Sequence, residues 1–236
     1  MVATERASWW RPMLPTVMCA GLALVGCSSS PMEPGSSPAS SSSVETVDRF
    51  DVSRIADLES DFPTGFIPGP TQPVKVQHQL VDSIGTVVSY GKPFTVDPPQ
   101  CRALLKPVEG QAGADSMHIR GDNVDEQSIS VGAVTPVTIP AEIPSAGCER
   151  MTYKVEDDAV PTSGTVERIS GPTVEGATTI ALKVLVNGFP NVEYSYAAIL
   201  DGRDYVDVQA RLAPEFQAGT LLPDLLVKAV NTVRRQ

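Results

Sequence analysis

The sequence is poor in the residues that most chemistry requires. It holds two histidines, four cysteines and an aromatic share of 6% in 236 residues. Two histidines leave little room for a histidine-rich metal site. Basic residues are outnumbered 18 to 28, giving a formal net charge of −10. Such a chain lacks the basic patch that nucleic-acid phosphates demand, so no nucleic-acid partner is expected. The charged share, 19%, is too low for a coiled coil or a disordered polyelectrolyte. No G-x-S-x-G, P-loop, H-E-x-x-H or G-x-G-x-x-G motif occurs. These absences point away from an enzyme and imply no cofactor.

A long hydrophobic run is missing as well. The apolar stretch 13–26 is interrupted by Pro15 and is too short for an ordinary membrane-crossing helix. With Arg6 and Arg11 flanking the short polar start ahead of it, it reads as the core of an export signal. It ends in Leu24-Val25-Gly26-Cys27, which looks like a bacterial lipobox. That likeness implies a diacylglycerol thioether on Cys27, which becomes the mature N-terminus. Cys19 lies inside the apolar run after Val17-Met18 and fits a lipobox poorly. Residues 28–43 are rich in Ser and Pro without periodicity, a composition that cannot bury enough surface to fold. The expected organisation is a lipoprotein signal peptide (1–26), a lipidated Cys and flexible tether (27–47), and one extracytoplasmic domain (48–236). Loss of Arg6, Arg11 and Glu5 with the signal leaves the mature chain more acidic by one charge. The acyl chains, rather than surface charge, would then hold it at the outer face of the cell membrane.

Cys101 and Cys148 remain. In an exported protein two thiols most simply form one disulfide, which should add about 4 kcal/mol by constraining the unfolded chain. A reactive or metal-binding pair is the alternative, but the close C-x-x-C spacing is missing.

The fold class expected is α+β, a single domain with an antiparallel β-sheet and N- and C-terminal helices packed on one face. Apolar spacing in 51–60 predicts a helix with Ser53 as its cap and a stop at Pro63 and Gly65. A short helix is expected from Asp97, with Pro98 and Pro99 in its first turn, ending at Pro107. Segments 179–187, 192–200 and 203–212 alternate strictly between apolar and polar residues, as half-buried antiparallel strands do. Keeping one apolar face across both turns pairs Val186 with Val192, and Leu200 with Asp204, Ala198 with Val206 and Tyr196 with Val208. A closing helix starts near Pro223. Its apolar stripe is Leu222, Leu225, Leu226, Ala229 and Val233, and Arg234 and Arg235 lie at its end. Segments 74–80, 84–90, 128–134 and 149–156 read as further strands, 163–170 as a weaker one, and 107–123 as the least patterned stretch.

Few residues stand out as candidates for binding. His78 shares a face with Val74, Val76 and Leu80 and either lines a pocket or sits hydrogen-bonded at the edge of the core. Tyr194 and Tyr196 share a strand face and would form a cleft with polar tips if that face is not covered. His118 lies in the irregular segment near Asp115 and Asp122 with no nucleophile beside it, and reads as a solvated loop residue. The acidic runs 122–126 and 156–158 lack EF-hand spacing and read as exposed turns, so no metal site is expected. Arg120-Gly121-Asp122 is a tripeptide common enough to carry no weight.

The lipobox, the Ser/Pro stalk and the acidic α+β domain together resemble mycobacterial and actinobacterial lipoproteins. Thr95-Val96-Asp97-Pro98-Pro99-Gln100-Cys101, followed by Leu104-Leu105-Lys106-Pro107, is similar to a stretch in their sensor-like domains. Such domains also form the outer part of PknH-type receptor kinases. Phe62-Pro63-Thr64-Gly65-Phe66 is similar to the opening of a mycobacterial lipoprotein family of unknown function. The resemblance implies a ligand-binding or sensor-like domain without assigned catalysis. Kinase sensor domains of this kind carry two disulfides where this chain allows one, and no kinase segment is present. The leading functional expectation is a membrane-anchored binding module for a cell-envelope ligand or protein partner. The alternatives are a lipid or glycolipid carrier, a hydrolase dependent on His78 or His118, and a structural envelope protein.

Overall fold

A computed structural model describes residues 50–156, 161–216 and 218–234. The expected signal, the tether and Cys27 lie outside the described residues, as do Asp157 and Asp158 of the second acidic run. Thr46–Gln236 forms one compact unit. No helix among the described residues is long and apolar enough to cross a membrane.

The strands are β1 (Ile67–Pro68), β2 (Val74–Lys75), β3 (Phe94–Asp97), β4 (Asp115–Asp122), β5 (Ser128–Thr135), β6 (Arg150–Val155), β7 (Thr162–Arg168), β8 (Ala177–Val186), β9 (Val192–Leu200) and β10 (Asp204–Leu212). They form one antiparallel sheet in the order β1-β4-β5-β10-β9-β8-β7-β6-β3, with β2 pairing β4. Two α-helices, α1 (Arg102–Leu105) and α2 (Leu221–Val233), and three 3₁₀ helices, Val52–Asp61, His78–Ser83 and Pro99–Cys101, complete the described chain.

The sheet is covered on both faces, but over different strands. On the first face, Met117, Ile119, Ile129, Val131, Val206, Val208 and Leu212 meet Ile55 and Leu58 of the first 3₁₀ helix and Leu222, Leu226 and Val230 of α2. On the second face, Val96, Tyr153, Val166, Leu182, Val184 and Ile199 meet Val88, Leu104 and Leu105 from the segment before β4. Each buried Leu or Val contributes roughly 1.5–3 kcal/mol relative to exposure, so both covers are held by the hydrophobic effect. The N- and C-terminal helices lie together on the first face, as expected, and Lys228 pairs with Asp61 between them.

The Cys101–Cys148 disulfide is formed, with both sulfurs in fully buried residues. It ties the start of α1 to the chain just before β6 and so clamps the second cover to the sheet.

Several local expectations are corrected. Asp51, not Ser53, caps the first helix: its Oδ1 accepts from Ser53 N at 3.1 Å. Asp97 ends β3 rather than capping a helix, which begins at Pro99 behind Pro98. Segments 74–80 and 84–90 are not strands beyond Val74–Lys75. They form a 3₁₀ helix and turns whose Val76 and Val88 plug the second cluster singly. The segment thought least patterned contains β4, where Met117, Ile119 and Gly121 face inward between exposed His118, Arg120 and Asp122. Gly121 replaces an apolar residue because a Cβ there would meet the Phe62 ring at 2.6 Å.

The β9–β10 register is as expected: Leu200 opposes Asp204, Ala198 opposes Val206 and Tyr196 opposes Val208. Between β8 and β9, Leu185 rather than Val186 opposes Val192. Ile180, Leu182 and Val184 therefore face the second cover, opposite to Tyr194 and Tyr196.

Candidate functional site

Two segments frame a groove over the second face. The first is the stretch before β3. Val88 is drawn into the core, Lys92 N bonds to Ser89 O at 2.9 Å, and the turn between leaves Tyr90 in the left-handed region at φ 49° with 72% of its surface exposed. The second is the β8–β9 turn, where Gly188 at φ 83° and Pro190 flank Phe189, itself 63% exposed. Between them lies a cavity of about 330 Å³ lined, among others, by Tyr90, Glu126, Tyr153, Phe189, Glu193 and Arg211, at the small end of the range for ligand sites. A smaller adjoining cleft of about 70 Å³ shares Tyr90, Glu193 and Arg211 and runs over Ser128, Ser130 and Gln209.

The floor is polar. Glu193 and Arg211 are direct cross-strand neighbours, and their side chains approach to 3.4 Å. Burial raises the Glu193 pKa, and Arg211 works against that rise. Burial disfavours the Arg211 charge, but hydrogen bonding with Tyr90 and the Glu193 charge more than offset it. Tyr153 forms the wall. Burial first, then Glu193 and Tyr90, push its phenol up to about 12, so it stays a neutral hydroxyl. Its ring lies against β7 where only Gly fits: a Cβ on Gly164 would stand 2.8 Å from the ring and 2.1 Å from Leu185 O.

Beyond the small cleft the second face stays polar across β10, β5 and β4. Asp207, Gly132 and His118 occupy one row. The Asp207 carboxyl leans over Gly132, with Oδ1 2.7 Å from where a Cβ would stand, and His118 Cδ2 is 3.8 Å from that point on the other side. Burial pushes Asp207 up to about 6, against a hydrogen bond from Gln209. The His118 pKa is lowered by partial loss of water around its ring, although the residue keeps an exposed side, and by the nearby Arg120 charge. His118 thus stands on a strand, not in a loop, and the carboxylate in its row is Asp207. Asp122 instead pairs with Arg120 at 2.8 Å, and Asp115 with Lys75 at 2.6 Å. The run 122–126 forms the β4–β5 turn, where Asn123 Oδ1 accepts from Asp125 N and Gln127 N. No cluster of three or more metal-ligating side chains occurs among the described residues.

The three residues singled out from sequence do not converge. His78 is exposed at the start of its 3₁₀ helix. Tyr196 is 5% exposed in the first cluster, beneath the helices, and Tyr194 packs beside it. Only Tyr194 borders the small cleft. Tyr90, Tyr153, Phe189, Glu193 and Arg211 were not singled out. A usable signal existed at two of them, in Tyr90-Gly91 and Gly188-Phe189-Pro190, where an aromatic residue sits at a turn tip with no periodic reason to be buried.

The fold and the groove define a single-domain α+β protein with a twice-covered antiparallel sheet and one aromatic-walled cleft beside an ion pair. Residues 51–234 match the model of a domain of unknown function, DUF5642, and the chain belongs to that family. The fold is similar to that of an uncharacterized protein from Mycobacterium smegmatis, the Rv0999 ortholog, known from an X-ray structure. The TM-score is 0.58 at 18% sequence identity, covering 80% of this chain and 99% of that one. A search of curated proteins finds no match.

Proposed function

We propose that the chain is a lipid-anchored, extracytoplasmic binding protein that works without catalysis and takes a cell-envelope ligand in the groove between Tyr90 and Phe189. The observation that carries the reading is that pair of rings: two large, well exposed side chains from separate segments flank one cavity. Rings on both sides of one cavity offer apolar contact surface to a group that enters it. The lipobox at Cys27 and the Ser/Pro stalk support the anchoring, and the likeness to PknH-type sensor-like domains supports binding rather than turnover. A cavity of about 330 Å³ fits a sugar-sized or side-chain-sized group better than a lipid's acyl chains, which favours a binding module over a lipid carrier.

The test has two parts. In a mycobacterial host the full chain should partition with detergent-soluble membrane proteins, and Cys27→Ala should abolish this. The unit from Thr46 onward should gain thermal stability in an envelope extract, since a ligand that binds only the folded state raises Tm, and Tyr90→Ala with Phe189→Ala should remove the gain. An unchanged Tm with extract, or a gain that survives the double substitution, overturns the assignment of the groove.

A further inference from the structure

Resting on the reading of the groove as the ligand site, we infer that what enters it is a cationic side chain, lysine or arginine, presented by a protein partner. The lining carries more negative than positive charge. Glu126 and Glu193 line the cavity against one cation, Arg211. Arg211 is already committed, with Glu193 3.4 Å from its guanidinium and a hydrogen bond to Tyr90. Glu126 is the carboxylate left over, without an ion pair to any other described residue. An entering cation therefore gains a free carboxylate, whereas an anion meets a guanidinium that is already engaged.

The rings suit the same ligand. Tyr90 and Phe189 are largely exposed and border the cavity from separate segments. An aromatic face is electron-rich, so rings beside a carboxylate attract an ammonium or guanidinium and cover the apolar stem behind it. The fold already makes this contact once, where the Arg102 guanidinium lies 4.1 Å from the centroid of the Phe94 ring.

The surroundings extend the match beyond the cavity, which favours a polypeptide over a small free amine. β4, β6 and β8 run in the same direction, so the turns that follow them leave the sheet at one end. Around the Phe189 tip those turns bring Asp125, Glu126 and Glu156, together with Val124, which is 94% exposed. The cations near that end do not cancel them at the groove. Arg120 is paired with Asp122, Lys92 has an interaction of its own, and Lys154 lies on the opposite face from Tyr153.

The test uses the unit from Thr46 onward and isothermal titration with an acetylated, amidated Gly-Lys-Gly-Lys-Gly peptide. Its Gln and Glu counterparts and n-butylammonium serve as controls. The Lys peptide should bind about tenfold more tightly than each control, and its affinity should fall as salt rises. Phe189→Leu keeps apolar bulk but loses the ring face, and should weaken binding about threefold to tenfold with Tm unchanged. Glu126→Gln should weaken it by a similar factor. Glu167→Gln removes the same charge from an exposed site on the other face of β7 and should leave binding unchanged. Equal losses from these two substitutions would mean attraction to net charge alone and overturn the inference. A Gln or Glu peptide that matches the Lys peptide overturns it too, and n-butylammonium that matches it replaces the protein partner with a free amine. Absence of binding by the Lys peptide also overturns it. If the envelope extract still stabilises the protein through Tyr90 and Phe189 in that case, the cationic assignment alone fails. If the extract has no effect either, the groove itself is not a ligand site.

Discussion

Glu193 and Arg211 face each other across β9 and β10 and close to 3.4 Å at the floor of an aromatic-walled groove. One partner is mostly covered and the other is half exposed: the Glu193 and Arg211 side chains keep 20% and 46% of their accessible surface. Burial raises the Glu193 pKa and Arg211 restrains it. Arg211→Met should therefore cost roughly 1–2 kcal/mol at neutral pH, because a buried carboxylate loses its partner. The cost should shrink as the pH falls and Glu193 takes up a proton. Glu193→Gln added to Arg211→Met should recover most of it, which a double-mutant cycle by urea unfolding at pH 4 and pH 7 measures.

Asp207 gives a pH signature of its own. Its folded pKa of about 6 lies above its ordinary 3.8, chiefly through burial. The folded state thus keeps a proton that the unfolded state has already released, and stability falls as pH rises from about 4 to about 6, then levels off. The size of the fall should be about 2–3 kcal/mol. Asp207→Asn should flatten this window and raise stability at pH 7, as followed by urea midpoints across the range.

The Cys101–Cys148 disulfide spans 47 positions, which the chain-entropy relation converts to about 4 kcal/mol. Reduction should lower the unfolding free energy by that order. It should also loosen the second cover, from which Tyr90 projects, so ligand-induced stabilisation should fall with it. Unfolding curves with and without reductant, each with and without extract, check both effects.

Tyr205 is 2% exposed, and its hydroxyl has no hydrogen-bond partner among the described residues. Burial pushes its pKa far up. Tyr205→Phe removes an unsatisfied polar atom while keeping the ring, so stability should hold or rise by up to about 1 kcal/mol. A loss of stability in thermal unfolding would show that the hydroxyl has a partner.

What the sequence made legible follows from which residues have one apolar face. On β10, Val206, Val208, Ala210 and Leu212 alternate with polar residues, and the β9–β10 pairing follows from parity. The same reasoning slipped by one residue at β8–β9. There β9 is buried on both faces, with Tyr196 and Ala198 in one cluster and Ala197 and Ile199 in the other, so its alternation does not say which side β8 shares. β4 was hidden because Gly121, placed to admit Phe62, breaks the apolar count. The groove was hidden for a deeper reason. Tyr90 and Phe189 lie in turns far apart in sequence, and only the disulfide-clamped cover and the β8–β9 turn bring them together. Tyr194 and Tyr196 had the clearer pattern because they belong to the core.

The most direct measurement is backbone amide chemical-shift mapping of the unit from Thr46 onward, titrated with envelope extract. Shifts concentrated at Tyr90, Tyr153, Phe189, Glu193 and Arg211, and absent after Tyr90→Ala with Phe189→Ala, are the predicted result. Shifts gathered elsewhere, such as on the exposed face of β6–β8 around Thr152, Thr165 and Lys183, would contradict the account, as would a spectrum that does not change.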